Sequence, residues 1–300
     1  MSALSFVTYD VFTEARFAGN PLAVVFGADV LSDAQMQAIA REFNLSETVF
    51  LRAAANQAHS AEARIFTPGK ELPFAGHPTV GAAIALAEAQ FGRGEAGDHL
   101  LVLEEKIGPV RCAVSITREG ASFAEFAAPK LSQYMGDGAS AAEAAAAIGL
   151  DAADIGFDRH KPALYSAGVT FAMIPVASVE ALGRAHPPRA STADSLGATE
   201  VFVYARAGEG ETHSFRARMF APDLGIAEDP ATGSAAAAFA GVLAACEDLP
   251  DGWTTLPILQ GVEMGRPSLI GLEVNIEGSA LAGARIAGKA VKVSEGTIFA

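Results

Sequence analysis

The sequence predicts an α+β protein made of two similar halves, and three observations predict it. HSAEARIFTP (His59–Pro68) returns as HSFRARMFAP (His213–Pro222), identical at six of ten positions without a gap; a repeat at this spacing marks a duplicated unit. In both halves, strand-like runs of alternating β-branched and aromatic residues lead through a Pro-containing loop into a helix of small residues. Half of the 300 residues are hydrophobic and only 19% are charged, a composition suited to two well-buried domains of about 150 residues each.

The elements follow in order. ETVFLRA from Glu47 lies opposite TEVFVYA from Thr199, giving the first matched strand. ARIF and ARMF, inside the repeat, give the second. FAGHPTVGAAIALAEA from Phe74 then lies opposite DPATGSAAAAFAGVLAA from Asp229. These helices are expected to start at Gly76-His77-Pro78 and at Thr232-Gly233-Ser234, where Thr, Ser and Pro suit a first turn. Their Ala and Gly content suits a helix enclosed by curved sheet. HLLVLEE and GPVRCAVSIT supply further strands in the first half, and TLPILQG and SLIGLEVNIE in the second. Met135–Leu150, polar and Gly-rich before it turns alanine-rich, reads as the linker between halves. Duplicated domains of this kind place an active site at their interface, so a cleft is expected there.

Composition excludes several functions. A formal charge of -14 opposes binding to nucleic acid or to an anionic membrane surface, both of which need a basic face. Cys112 and Cys246 stand in different halves with no paired motif, the usage of a reducing compartment. The opening MSALSFVTYDVF has no basic region or long apolar run, which argues against a secretory signal, and the alanine-rich stretches are too interrupted to span a membrane. A cytoplasmic protein is expected. The six histidines show no metal-ligand spacing, so no metal site is expected. Gly92-Arg93-Gly94-Glu95-Ala96-Gly97 has the letters of a dinucleotide fingerprint, but it follows a helix and precedes a strand, the reverse of the required order.

Candidate chemistry gathers at the helix starts. First-turn N–H groups lack intrahelical partners and carry partial positive charge, so Gly76 and Gly233 could present amides to a small anion; equally, both could simply permit tight turns. Glu47 sits in an apolar strand where the other half has Thr199. Burial there would raise its pKa and suit a group that both takes and gives a proton, whereas a solvated strand-edge position would leave it ordinary. His77 and Asp229 could orient substrate or relay a proton, or serve as loop and turn residues beside Pro78 and Pro230. Ser234 could be a cap, and Asn20 in FAGNPLAV a turn residue or an amide offered to ligand.

FAGNPLAVV from Phe17, NLSETVFL from Asn44, RIFTPGKELPFAGHPTVGAA from Arg64 and EDPATGSAAAA from Glu228 closely resemble the PhzF-like family of phenazine-biosynthesis isomerases. QGVEMGRPSLI from Gln260 and AVKVSEGTI from Ala290 resemble its C-terminal motifs, so the resemblance runs along nearly the whole chain. It implies a diaminopimelate epimerase-like fold of two pseudo-symmetric domains, each a curved, mostly antiparallel, barrel-like sheet around a central helix. The domains implied are residues 1–130 with a returning strand at about 287–300, and residues 131–286. A homodimer and a small-molecule carboxylate substrate are also implied, without a cofactor. On the matching motifs, Glu47 is the general acid/base, and His77 and Asp229 assist. The same motifs imply that Asn20, Gly76, Thr232, Gly233 and Ser234 bind substrate.

Related epimerases carry a cysteine at each helix start, where this chain has Ala75 and Pro230, which implies one base instead of two thiols. ELPFAGHPTVG departs from the C-G-H-A-T form of the phenazine enzymes, so the resemblance does not extend to their substrate. Two other readings stand beside it: a serine hydrolase using Ser234, His77 and Asp229, which lacks the GxSxG elbow, and a non-catalytic small-molecule binding protein.

Overall fold

The computed structural model describes residues 3–93, 96–189, 194–222 and 226–300; Gly94 and Glu95 of the glycine-rich run above lie outside them. The chain divides into two compact units, Met1–Pro129 with Ala287–Ala300, and Lys130–Ile286.

The first unit holds β1 (Ala3–Val11), β2 (Asn20–Val25), α1 (Asp33–Phe43), β3 (Glu47–Arg52), β4 (Ala61–Phe66), β5 (Glu71–Leu72), α2 (Gly76–Phe91), β6 (Gly97–Glu105), β7 (Gly108–Ile116) and β8 (Ser122–Ala127). The second holds β9 (Gln133–Asp137), α3 (Ala141–Ile148), β10 (Ala163–Ser166), β11 (Thr170–Pro175), α4 (Val179–Arg184), β12 (Glu200–Arg206), β13 (Phe215–Ala221), β14 (Ile226–Asp229), α5 (Gly233–Cys246), β15 (Gly252–Thr255), β16 (Ile258–Gln260) and β17 (Ser268–Glu277). The last strand, β18 (Ala280–Phe299), starts in the second unit and finishes in the first, antiparallel to β1.

The duplication read from sequence is repeated in the strand pairing. In the first unit β1/β2 is antiparallel, β2/β3 parallel, β3/β4 antiparallel, β4/β5 antiparallel, β4/β6 parallel and β6/β7 antiparallel. In the second, β10/β11, β11/β12, β12/β13, β13/β14, β13/β16 and β16/β17 run through the same sequence of senses. The repeated decapeptide supplies β4 in one unit and leads into β13 in the other.

Helix α2 is the centre of its unit. It packs against β1, β2, β3, β6, β7 and β8, and every residue from Gly76 to Glu88 is buried. A helix touched by strands along the whole of a sheet requires that sheet to curl around it, which is why its residues are small and apolar on all sides. On the outer face, Met36, Ile39 and Ala40 of α1 pack on Val25, Phe50 and Phe66. Strands β2 and β3 therefore lie between two helices, and their apolar runs follow from burial on both faces. Helix α5 is likewise buried from Ala235 to Leu243 and packs against β9, β10, β11 and β17. In the second unit α3 and α4 cover the outer face through Ala144, Ile148 and Leu182.

One expectation is corrected. Met135–Leu150 is no linker: it forms the end of β9 and α3 inside the second unit. Ser140 opens α3 with a capping box, its hydroxyl accepting the Glu143 N–H while the Glu143 carboxylate accepts the Ser140 N–H. The S-x-x-E spacing is a helix-start signal that the glycine content obscured. No described helix is long and apolar enough to cross a membrane.

Candidate active site

In the first unit, three residues far apart in sequence meet. Asn20 is the first residue of β2, Glu47 the first of β3, and His77 the second of α2. The parallel pairing of β2 with β3 sets Leu22 beside Glu47, which brings the two strand starts to one end of the sheet, where α2 begins. Asn20 is fully buried, Glu47 8% exposed and His77 3% exposed. Asn20 is delivered by a tight turn at Gly19, whose φ of +65° belongs to the left-handed region; a Cβ there would collide with the Val11 carbonyl oxygen, so only glycine fits. Asp10 steadies the same turn, its Oδ2 accepting the Phe17 N–H at 2.6 Å.

The Asn20 Nδ2 lies 3.2 Å from the His77 Nδ1. An amide nitrogen only donates, so Nδ1 must be the acceptor and the ring proton must sit on Nε2. Burial pushes the His77 pKa down to about 3, so the imidazole is neutral at physiological pH. Its Nε2–H faces the Glu47 Oε2 at 3.2 Å. The approach is close without the alignment of a full hydrogen bond, a looseness common in unliganded catalytic pairs. Asn20 thus sets the tautomer of His77, and His77 presents one fixed proton to Glu47.

In the second unit, Asp229 ends β14, Thr232 is the residue before α5, and Gly233 and Ser234 are its first two. The Thr232 hydroxyl donates to the Asp229 Oδ2 at 2.5 Å. Gln260, fully buried at the end of β16, donates through Nε2 to the Asp229 carbonyl (2.8 Å) and to the Thr232 Oγ1 (3.1 Å), and accepts the Thr232 N–H on Oε1 (3.2 Å). Gly261 follows at φ +76°, where a Cβ would lie 2.6 Å from the Pro230 carbonyl oxygen. Gln260 and Gly261 together clamp the turn that carries Asp229. Ser234 is partly exposed.

The helix starts differ in kind. Ser32, Ser140 and Ser178 cap α1, α3 and α4 by accepting a first-turn N–H. The two central helices have no side-chain cap: α2 is preceded by Ala75, and Thr232 before α5 spends its hydroxyl on Asp229. The missing caps coincide with the starts that carry His77 and Ser234, so at neither does the side chain of the preceding residue occupy the first-turn amides that can receive an anion.

Sequence reasoning named Asn20, Glu47, Gly76 and His77 separately; the structure brings them together around α2. It likewise gathers Asp229, Thr232, Gly233 and Ser234 around α5. It adds Gln260, which had appeared only as a letter in a motif, and whose role shows only once β16 lies beside the turn. It also adds Glu105, buried at the end of β6. The alternation Leu101, Leu103, Glu105 puts that carboxyl on the inward face, and this parity was the available signal.

A family model described as phenazine biosynthesis-like protein matches residues 9–296. The chain is 50% identical to an uncharacterized isomerase of Mesorhizobium japonicum, covering 100% of both. It is 35% identical to a trans-2,3-dihydro-3-hydroxyanthranilate isomerase of Pseudomonas fluorescens, covering 98% of this chain and 99% of that protein. The crystal structure of a Bacillus anthracis phenazine biosynthesis protein of the PhzF family matches it with a TM-score of 0.87 at 26% identity, over 100% of both chains. The fold is the epimerase-like one. Sequence motifs, duplicated topology and these relatives agree that the chain belongs to the phenazine biosynthesis-like, or PhzF, family, and that it is an isomerase.

Proposed function

We propose that the protein isomerises a small carboxylate by moving a proton with Glu47 as the single acid/base, without a cofactor. The observation that carries this reading is the Asn20–His77–Glu47 series: a carboxylate on a rigid strand start, faced by one neutral, tautomer-fixed imidazole. In the forward step the Glu47 carboxylate takes a proton from a carbon acidified by conjugation with the substrate carboxylate or a carbonyl. The C–H electron pair moves into that conjugated system while an O–H bond forms on Glu47. Glu47 then returns the proton to a different carbon on the same face, and the double bond moves with it.

His77 orients Glu47 in this scheme and does not itself titrate. The uncapped start of α2 at Gly76 supports charge growing on the substrate, and Asp229, Thr232, Gly233 and Ser234 are assigned to holding substrate. Preorganised donors of this kind contribute a few kcal/mol each, and a placed acid/base about 10²–10⁴ in rate. The relative acting on a dihydro-hydroxyanthranilate supports a ring or unsaturated carboxylate as the substrate class.

The hydrolase reading fares worse. A serine's base needs an accepting ring nitrogen; His77 Nδ1 accepts from Asn20 and its Nε2 carries the proton toward Glu47, while the Asp229 Oδ2 accepts the Thr232 hydroxyl.

The test is incubation with a panel of unsaturated and cyclic carboxylates in D₂O, followed by mass spectrometry. Deuterium uptake by at least one member, lost in Glu47→Gln while that variant stays folded, is expected. Undiminished uptake in Glu47→Gln would end the assignment.

A further inference from the structure

Glu105 is a second buried carboxyl of the first unit, and the proposed reaction does not use it. It is 7% exposed, at the end of β6. Its Oε1 lies 2.7 Å from the Thr79 hydroxyl, and its Oε2 has no hydrogen-bond partner among the described residues. Thr79 stands in the first turn of α2, and its Oγ1 also lies 2.7 Å from the Ala75 carbonyl oxygen. Ala75 is the residue from which α2 departs.

A hydroxyl has one hydrogen and cannot donate to two acceptors. The Ala75 carbonyl can only accept, so the Thr79 hydrogen belongs there. The 2.7 Å contact with Glu105 is then a hydrogen bond only if the carboxyl is the donor. Were Glu105 ionised, it would draw the Thr79 hydrogen to itself, and the Thr79 oxygen would be left against the Ala75 oxygen at the same distance with no proton between them. An ionised carboxylate with one oxygen buried and unmatched would also carry a large desolvation cost.

We infer that Glu105 is protonated at neutral pH, and that its proton, relayed through the Thr79 hydroxyl to the Ala75 carbonyl, positions the start of α2. Burial pushes the Glu105 pKa up to about 8, in the same direction. The groups facing it are Thr79 from α2 and Cys112 from β7, whose thiol is itself raised by burial and then by the charge of Glu105. Lys106, next in the chain, is turned away to Glu71. His77, two residues before Thr79, is neutral. No cation among the described residues is on hand to hold Glu105 ionised.

Glu105 is accordingly a positioning residue: it acts on the helix start that carries Gly76 and His77, and touches no substrate. Its protonation state is independent of the proposed reaction; its effect on turnover rests on that reading.

The experiment follows glutamate side-chain carboxyl carbons and backbone amides by NMR across pH 5–10, on the intact protein without substrate. In the wild type one carboxyl, missing from Glu105→Gln, is expected to be protonated at pH 7 and to titrate near 8. The Gly76 and His77 amide resonances should shift with the same midpoint. In Glu105→Gln, whose side-chain amide donates to Thr79 in place of the acid, those amide shifts should vanish.

Thr79→Val is the second variant and fixes the direction of the bond. Loss of an acceptor for the acid lowers the Glu105 midpoint by about one unit, whereas loss of a donor to a carboxylate raises it. A Glu105 carboxyl already ionised at pH 7, a midpoint that rises in Thr79→Val, or Gly76 and His77 amides indifferent to the titration would overturn the inference.

Discussion

Replacing Glu105 by glutamine should change how stability depends on pH, and the size of the change follows from the buried carboxyl. In the unfolded chain Glu105 titrates near 4.5, and in the folded protein near 8. The folded state therefore binds this proton more tightly. The stability it contributes is complete below pH 4.5 and declines as pH rises, until both states are ionised above about 8.

The two midpoints stand about 3.5 pH units apart, which at about 1.4 kcal/mol per unit amounts to about 5 kcal/mol over the full range. Between pH 5 and 7.5 the expected loss is about 3 kcal/mol. A glutamine at this position has no such titration, so the melting temperature of Glu105→Gln should gain on the wild type with rising pH. At about 2–3 °C per kcal/mol for a chain of this size, the gain is about 6–9 °C over that interval. Thermal unfolding followed by circular dichroism at half-unit pH steps measures it. Melting curves that keep a constant separation from pH 5 to 8 would refute the reasoning, since every other titrating group is shared by the two proteins.

Three other outcomes follow from the two clusters. Asn20→Leu leaves the buried His77 Nδ1 without its donor, a loss of about 1–3 kcal/mol; the proposed exchange should slow by about 5–150-fold, and imidazole nitrogen shifts should show the Nε2–H tautomer losing its dominance. His77, held neutral by burial with its pKa down at about 3, gives stability that is present above its unfolded pKa near 6.5 and lost as pH falls; at pH 5 the wild type should therefore have lost about 2 kcal/mol relative to His77→Gln, read as a steeper acid decline in melting temperature. Gln260→Leu removes both donors and the acceptor that clamp the Asp229–Thr232 turn, and should destabilise the protein by about 2–4 kcal/mol in chemical denaturation while raising KM more than it lowers kcat.

Much of the architecture could be read from residues that repeat. The decapeptide pair located β4 and the lead into β13. The small-residue runs located the two central helices, because a helix enclosed on all sides has no polar face to interrupt the pattern. Met135–Leu150 misled because Gly136 and Gly138 resemble linker punctuation, and the Ser140–Glu143 capping box was the stronger signal.

The candidate site was legible as separate motifs and illegible as a constellation. That Asn20, 27 positions before Glu47, sets the tautomer of the imidazole facing it depends on the register of a parallel strand pair, and no local pattern encodes that. Glu105 and Gln260 were hidden for a related reason. Each is an ordinary polar residue at a strand end, and only the neighbour brought by tertiary packing gives it a task.

The path of β18 also bears on how the protein is made. The segment that lies along β1, Ala290–Phe299, is synthesised only after the whole of the second unit, so that edge of β1 stays uncovered until then. The intervening unit, Lys130–Ile286, has all its residues in hand sooner. During translation the amino-terminal sheet is therefore a nascent structure with an open seam, the kind of exposed strand that recruits chaperones or unwanted neighbours. A stop codon before Ala290 would leave that seam permanently unsealed.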